Sequence, residues 1–269
     1  VPGLRHFAGR VGLVTGASSG IGAQLAGELG ARGMRLALLA RRGDRLEALA
    51  RALGGDERAI PIVADVADRA QVDAAVARVV DRWGGLDVLV NAAGYARHRL
   101  FKDEAVAEIA RMMTVNYLGV VHAIQAALPS MRRRGEGWIV NVSSVAGRLG
   151  QPDEAAYSAT KFAVTGLSEA LALELGPLGI HVLTVYPALV RTEMFTPEIL
   201  ARMPPRLLRT FVEPEVFARA VLRALQRGAY ELTVPWHVRI AYVLRVLCPG
   251  LQRRITARLR LAALPDLRA

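Results

Sequence analysis

The 269-residue chain is 52% hydrophobic, enough for a substantial buried core within one large α/β domain. Its single cysteine, Cys248, excludes an internal disulfide framework and a cysteine-rich zinc site, and fits a reducing, cytoplasmic setting. The net charge of +11 rests almost wholly on arginine, since Lys102 and Lys161 are the two lysines, and with no recognition motif it makes no case for nucleic acid.

The apolar run Val11–Thr15 reads as a strand, followed by Gly16-Ala-Ser-Ser-Gly20-Ile-Gly22 and a helical pattern to about Arg32. Glycines between a strand and a helix let the backbone approach a pyrophosphate, and the helix N-terminus adds free N–H groups. The spacing is Gly-x-x-x-Gly-x-Gly, which departs from Gly-x-Gly-x-x-Gly. Arg35–Ala40 is the second expected strand, and Arg41 and Arg42 follow it with no acid before Asp44. An acid near this point favours NAD, whereas guanidinium groups suit the 2′-phosphate of NADP. The alternative is that both arginines are solvated residues at a helix start.

Alternation continues with a strand over 59–64 ending at Asp65 and Val66, and with Asp68 as the cap of a helix reaching Trp83. A strand over 86–90 ends in Asn91-Ala92-Ala93-Gly94. A long helix over 103–131 contains Asn116, and a strand over 138–142 leads to Ser143 and Ser144. Later come a strand over 180–186 that breaks at Pro187, a helix over 214–227 and a strand over 230–235. Strands alternating with helices imply a Rossmann-like, doubly wound parallel sheet covered on both faces.

Tyr157 and Lys161 lie four residues apart, so a helix places them on one face. A free phenol, with a pKa of about 10, is a poor base at neutral pH, and a neighbouring ammonium favours phenolate. Ser144 ends a strand thirteen residues before Tyr157, so both hydroxyls can meet one substrate oxygen. Tyr-x-x-x-Lys on its own also arises by chance.

Taken together, Thr15-Gly-Ala-Ser-Ser-Gly-Ile-Gly22, Asn91-Ala-Ala-Gly94, Asn116, Ser144, Tyr157-x-x-x-Lys161 and Pro187-x-x-Val190-x-Thr192 form an ordered set. The set resembles the short-chain dehydrogenase/reductase family over roughly residues 8–235. That resemblance implies an oxidoreductase that moves a hydride between NADP(H) and a carbonyl or secondary alcohol. It implies that Gly16, Ser18, Ser19, Gly20, Ile21 and Gly22 line the pyrophosphate and adenosine ribose, and that Arg41 and Arg42 meet the 2′-phosphate. Asp65 and Val66 would lie along the adenine, while Asn91, Ala92 and Gly94 border the cofactor trough. Pro187, Val190 and Thr192 would fix the nicotinamide. Tyr157 would be the acid and base, with Lys161 lowering its pKa and binding the nicotinamide ribose. Ser144 would orient the substrate oxygen, and Asn116 would hold a helix kink and a proton-relay water. Ala188 stands where the family usually has glycine, and Val90-Asn91 where it usually has Asn-Asn. No metal enters this chemistry, and His6, His98, His122, His181 and His237 fit no ligand spacing.

Substrate specificity is expected in the loops over 95–101, 148–154 and 189–211. The last carries Met194, Phe195, Leu200, Met203, Leu207, Leu208 and Phe211, which points to a hydrophobic steroid, lipid or acyl substrate, or to ordinary lid packing. Residues 1–235 form the expected catalytic domain, and 236–269 a basic, apolar helical extension. From Arg239 onward seven arginines face one acid, Asp266, and Leu251, Ile255, Leu259 and Ala262 share a helical face. Such a segment reads as peripheral at a membrane surface, with Tyr242 and the arginines at headgroups, or as packing on the chain or a second subunit. No run reaches the roughly 18 apolar residues of a membrane span, no signal-peptide core is present at the N-terminus, and a start at Val1 leaves trimming open. A homodimer or homotetramer is expected through helices 103–131 and 157–176, using Phe162, Leu167, Leu171 and Leu175. The competing functions are a 3-ketoacyl carrier-protein reductase-like enzyme and a non-catalytic NADP-binding regulator; the intact Asn116, Ser144, Tyr157 and Lys161 argue against the second.

Overall fold

The computed structural model describes residues 2–260. Its strands are β1 (Val11–Thr15), β2 (Arg35–Ala40), β3 (Ala59–Val63), β4 (Val88–Asn91), β5 (Gly137–Val142), β6 (Ile180–Pro187) and β7 (Glu231–Val234). The helices are α1 (Gly20–Ala31), α2 (Gly43–Ala52), α3 (Arg69–Trp83), α4 (Val106–Met113), α5 (Gly119–Arg134), α6 (Ala155–Leu175), α7 (Pro197–Arg202), α8 (Pro205–Leu208), α9 (Pro214–Gln226), α10 (Arg239–Leu247) and α11 (Pro249–Arg260). All pairings in the sheet are parallel, in the order β3-β2-β1-β4-β5-β6-β7.

Side chains alternate along each strand and feed two cores. Val14 faces Leu25 of α1 and Phe217 of α9, whereas Leu13 faces the layer of Val72 from α3 and Ala123 from α5. Burial on both faces explains why the strands are nearly continuous apolar runs. Strand order reverses between β1 and β4, so their following loops part and leave a crevice at the carboxyl ends of the strands. At that edge the register aligns Thr15, Asn91, Asn141 and Thr184, all buried, so the apolar sheet ends in a polar row.

Local signals act where expected at α3: the Asp68 carboxylate accepts from the N–H groups of Ala70 and Gln71 at 2.9 and 3.2 Å, and Gly84 closes the helix in a left-handed conformation. The helix expected over 103–131 is different. It starts at Val106, opens into a π turn over Thr114–Leu118 and continues to Arg134. The strand expected over 86–90 is displaced to Val88–Asn91, because Asp87 is an anchor at its start. The buried Asp87 carboxylate takes the Val11 N–H at 2.8 Å and pairs with Arg10 and Arg134 at 3.0 and 2.9 Å.

Helix α10 reaches Phe162 of α6 and the segment at Arg148, with Tyr242 half-buried and Arg245 at the surface. Arg245 donates to the Arg148 carbonyl and stacks 5.1 Å over the Phe162 ring, and the Tyr242 hydroxyl is buried. Of the two expectations for this segment, Tyr242 follows packing on the chain rather than a place at headgroups. The outward residues are Ile240, Val243, Val246 and Leu247, joined by Trp236, Leu251 and Ile255. Ala262 lies outside the described residues. Of the apolar residues expected at a subunit contact, Leu175 is buried, Leu167 and Leu171 are partly buried against the core, and Phe162 is partly buried under Arg245. Leu173 is the exposed apolar residue of α6, at 81%.

Candidate active site

A cleft of about 680 Å³ lies over the crevice. It is lined by Gly16, Ser18, Ser19, Gly20, Ile21, Gly22, Arg41, Arg42, Asp65, Val66, Ala92, Gly94, Ser144, Tyr157, Lys161, Pro187, Val190 and Thr192. The other two sequence candidates, Asn91 and Asn116, are buried behind it. Asn91 donates to Asn141 Oδ1 at 2.8 Å and holds the polar end of the sheet together.

At the first turn, Thr15 Oγ1 accepts from the N–H groups of Ala92 and Ala93, both at 3.2 Å, and so ties the loop after β1 to the loop after β4. Gly16 has φ +69°, and a Cβ on it would stand 2.7 Å from Ala93 Cα. A Cβ on Gly22 would stand 2.3 Å from the Gly16 carbonyl oxygen, so glycine allows α1 to start against the turn. Ser19 caps α1 without a side-chain hydrogen bond, and the first turn carries no acid. The N–H groups there remain available to an anion, which fits a cofactor pyrophosphate.

The adenosine end is basic. Arg42 donates to Ser18 Oγ at 3.0 and 3.1 Å and to Ser19 Oγ at 2.5 Å. It also shares the Glu193 carboxylate with Arg45, at 3.2 and 2.5 Å. Arg45 first and then Arg42 hold the Glu193 carboxyl below its ordinary value. Glu193 comes from the segment after β6, so these bonds span the mouth of the cleft. The sequence reading missed Arg45, which lies in the first turn of α2, three residues after Arg42 at its N-cap.

At the other end, Ser144 is buried, and its hydroxyl accepts from the Ala146 N–H at 3.1 Å and bonds the Tyr157 phenol. Lys161 Nζ donates to the Val142 carbonyl at 2.8 Å and lies 5.6 Å from the Tyr157 ring centroid. Burial, and then the charge of Glu154, push the Tyr157 phenol above its ordinary value, against the lowering by Ser144. Burial acts on the neighbouring lysine too, lowering the Lys161 ammonium to about 8. Tyr157 is therefore held as a protonated donor. Asn116 sits in the π turn; its Oδ1 accepts from the Tyr95 N–H at 3.0 Å, and its Nδ2 donates to the Tyr95 carbonyl at 2.8 Å and to Thr160 Oγ1 at 3.1 Å. These bonds fasten the loop after β4 to α6, one turn from Tyr157.

The substrate end adds Tyr95, His98, Gln151, Glu154, Met194 and Phe195. The sequence pointed to their loops but singled out neither His98 nor Glu154. Glu154 precedes Tyr157 by three residues, a helical spacing that would have flagged it.

The family model described as short chain dehydrogenase matches residues 10–201. The chain is 34% identical over 248 residues to an 11-beta-hydroxysteroid dehydrogenase-like protein (4A) of Arabidopsis thaliana, covering 90% of this chain and 82% of that one. It is 40% identical over 187 residues to the D-threitol dehydrogenase of Mycolicibacterium smegmatis, covering 69% and 72%. A crystal structure of a short chain dehydrogenase/reductase from Burkholderia phymatum in complex with NAD superimposes with a TM-score of 0.83 at 25% identity, covering 93% of this chain and 97% of that one.

Proposed function

The chain belongs to the short-chain dehydrogenase/reductase family, an oxidoreductase acting on hydroxyl groups, and from that premise we propose that it interconverts a hydrophobic secondary alcohol and its carbonyl with NADP(H). The convergence of Ser144, Tyr157 and Lys161 at the sheet edge carries this reading.

The first-turn N–H groups of α1 and the glycine turn would hold the pyrophosphate, Asp65 and Val66 the adenine, and Pro187, Val190 and Thr192 the nicotinamide end. When bound, this cofactor gives or takes the hydride at the substrate carbon. The chain's own work is on the oxygen. Tyr157 keeps its proton through burial and presents it to a developing oxyanion, whose charge must be quenched as it forms. Ser144, anchored by the Ala146 N–H, orients that oxygen from the other side. Lys161, fixed on the Val142 carbonyl, brings positive charge beside the phenol and the ribose site. Asn116 acts through the backbone that it clamps.

The NADP preference is supported by the arginines after β2. Arg42 and Arg45 already share one carboxylate, so a dianionic phosphate is a fitting guest for them and for Arg41 at the exposed rim. A hydrophobic substrate is supported by Val145, Ala146, Leu189, Met194 and Phe195 around the cleft, and by the likeness to a hydroxysteroid dehydrogenase-like protein. Steady-state rates with NADPH and NADH across steroid ketones, other lipophilic ketones and ketoacyl thioesters test the proposal. Preference for ketoacyl thioesters would favour the carrier-protein reductase, and cofactor binding without turnover would favour the regulator.

A second reading concerns the extension from residue 236. No helix among the described residues is long and apolar enough to cross a membrane. Yet α10 and α11 turn outward Val246 and Leu247 at 79% and 72% exposure, with Trp236 at 73%, beside Arg239, Arg253, Arg254 and Arg258. An apolar row flanked by arginine suits the interface of an anionic bilayer, from which a lipophilic substrate would enter. Self-association through α5 and α6 remains part of the same proposal, with Leu118 and Leu173 as its exposed apolar residues.

A further inference from the structure

The Tyr157 end of the cleft contains an imidazole that the proposed chemistry does not use. His98 stands on the loop after β4, and its side chain is 5% exposed. Nδ1 lies 3.1 Å from Glu154 Oε1 and 3.7 Å from Asp153 Oδ2. Asp153 is the one non-glycine residue with positive φ among the described residues, at +57°, and its carbonyl accepts from the Arg99 N–H at 2.8 Å. The backbone is thus held in a costly conformation that sets two acids beside one ring nitrogen.

An ionised carboxylate only accepts, so Nδ1 must carry the hydrogen, and the ring orientation follows. The opposite nitrogen, Nε2, is buried and has no hydrogen-bond partner. An orphaned polar atom of this kind costs free energy unless something in the functional state satisfies it. His98, Glu154, Tyr157 and Phe195 border the same cleft. Phe195 belongs to the segment after β6, and its ring centroid is 5.9 Å from that of His98. The Tyr95 hydroxyl, on the same loop, is also buried without a partner and also borders the cleft.

We propose that His98 Nε2 is a substrate subsite that takes a second hydroxyl group, so the substrate is a diol or a hydroxyketone rather than a simple alcohol or ketone. A hydroxyl can donate to the lone pair of a neutral imidazole and can accept from its protonated form, so it satisfies Nε2 in either state. The reacting oxygen sits between Tyr157 and Ser144, and Glu154 begins the same helix one turn earlier. The second hydroxyl would therefore sit at the His98 side of the same end of the cleft. Phe195, whose ring lies 5.9 Å from that of His98, borders the same place. This proposal rests on the carbonyl–alcohol reading above and adds a specificity residue to it.

The test uses matched probes: cyclohexanone against 4-hydroxycyclohexanone, and decalones against hydroxydecalones. Their binding to the NADPH-loaded protein is read by NADPH fluorescence, and turnover by NADPH oxidation. The hydroxyketone of at least one pair should bind about tenfold more tightly than its parent. H98F should erase that difference, read as the ratio of KM values within each pair, while NADPH affinity is kept, and H98Q should restore part of it. Equal binding within every pair, or a difference that survives H98F, overturns the subsite. A loss in H98F that strikes parent and hydroxylated probes alike, with kcat falling for both, overturns it in favour of a structural role. A pairwise binding difference without NADPH oxidation by any probe would instead sink the carbonyl–alcohol reading and leave the subsite standing.

Discussion

Removing Arg42 should change which cofactor the protein selects. Its guanidinium now spends donors on Ser18, Ser19 and Glu193, and all of these partners stand at the adenosine end of the cleft. A charge-assisted bond to phosphate contributes about 1.5–3 kcal/mol. The Arg42 side chain is 43% exposed, so solvent screening favours the lower half of that range. Arg42→Ala should therefore raise the Kd for NADPH roughly ten- to thirtyfold. Arg41→Ala should act in the same direction. NADH has no 2′-phosphate and should lose little, so the ratio of the two Kd values, read by fluorescence titration, is the diagnostic quantity. Raising salt should narrow the wild-type ratio, because the site is open to solvent. Equal weakening of NADPH and NADH would refute the argument and make Arg42 a brace for Ser18 and Ser19. An unmodified protein that binds NADH as tightly as NADPH would refute it more directly.

Tyr157→Phe should lower kcat by about 10²–10⁴-fold or more with NADPH affinity nearly unchanged, since the ring packing survives and only the transferable proton goes; near-normal turnover would end the acid role. Lys161 is buried with its pKa lowered from 10.5 to about 8, so between those values the unfolded chain binds the extra proton and stability rises with pH. Denaturant midpoints of wild type and Lys161→Met should therefore diverge in favour of wild type from pH 8 to 10. Above pH 10 the raised Tyr157 acts oppositely in both proteins, because its folded form keeps a proton that the unfolded form loses. Asn116→Ala should destabilise the fold by about 2–3 kcal/mol and reduce kcat, because it strands the Tyr95 peptide and the Thr160 hydroxyl; urea unfolding and rates report both. Vesicles of anionic lipid should bind the full chain at low salt and release it at high salt, and Val246→Asp with Leu247→Asp should abolish the binding without affecting NADPH; vesicle sedimentation decides it.

The sheet and the cleft were legible because their signals are local. A strand, a glycine turn and a helix announce themselves within Val11 to Ala31, and the four-residue step from Tyr157 to Lys161 needs only helical geometry. Long-range balances were less legible. Proximity of a lysine to a phenol is legible as a four-residue step, but the depth of burial that raises the Tyr157 phenol and lowers the Lys161 ammonium is not. The extension was expected to be helical, but its sequence could not say what α10 touches; Arg245 found Phe162 and the Arg148 carbonyl, contacts 83 and 97 residues away that no window of sequence contains. The pairing of His98 with Glu154 escaped notice for the same reason, the two being 56 residues apart.

The π turn over Thr114–Leu118 divides what looks like one rod into two with different phase. A residue advances an α-helix by about 100°, so one extra residue in the turn rotates everything beyond it by that angle. The two halves consequently answer to different neighbours. Met112, the buried residue of α4, joins Ala146 and Tyr157, whereas Val120, Ala123, Ile124 and Ala127 of α5 press on the sheet. Asn116 occupies the joint and turns inward from it. Deleting a single residue between Val115 and Tyr117 would restore a regular helix, and would force a choice between seating Met112 beside Tyr157 and seating α5 on the core. Phase, more than length or composition, is what this segment encodes.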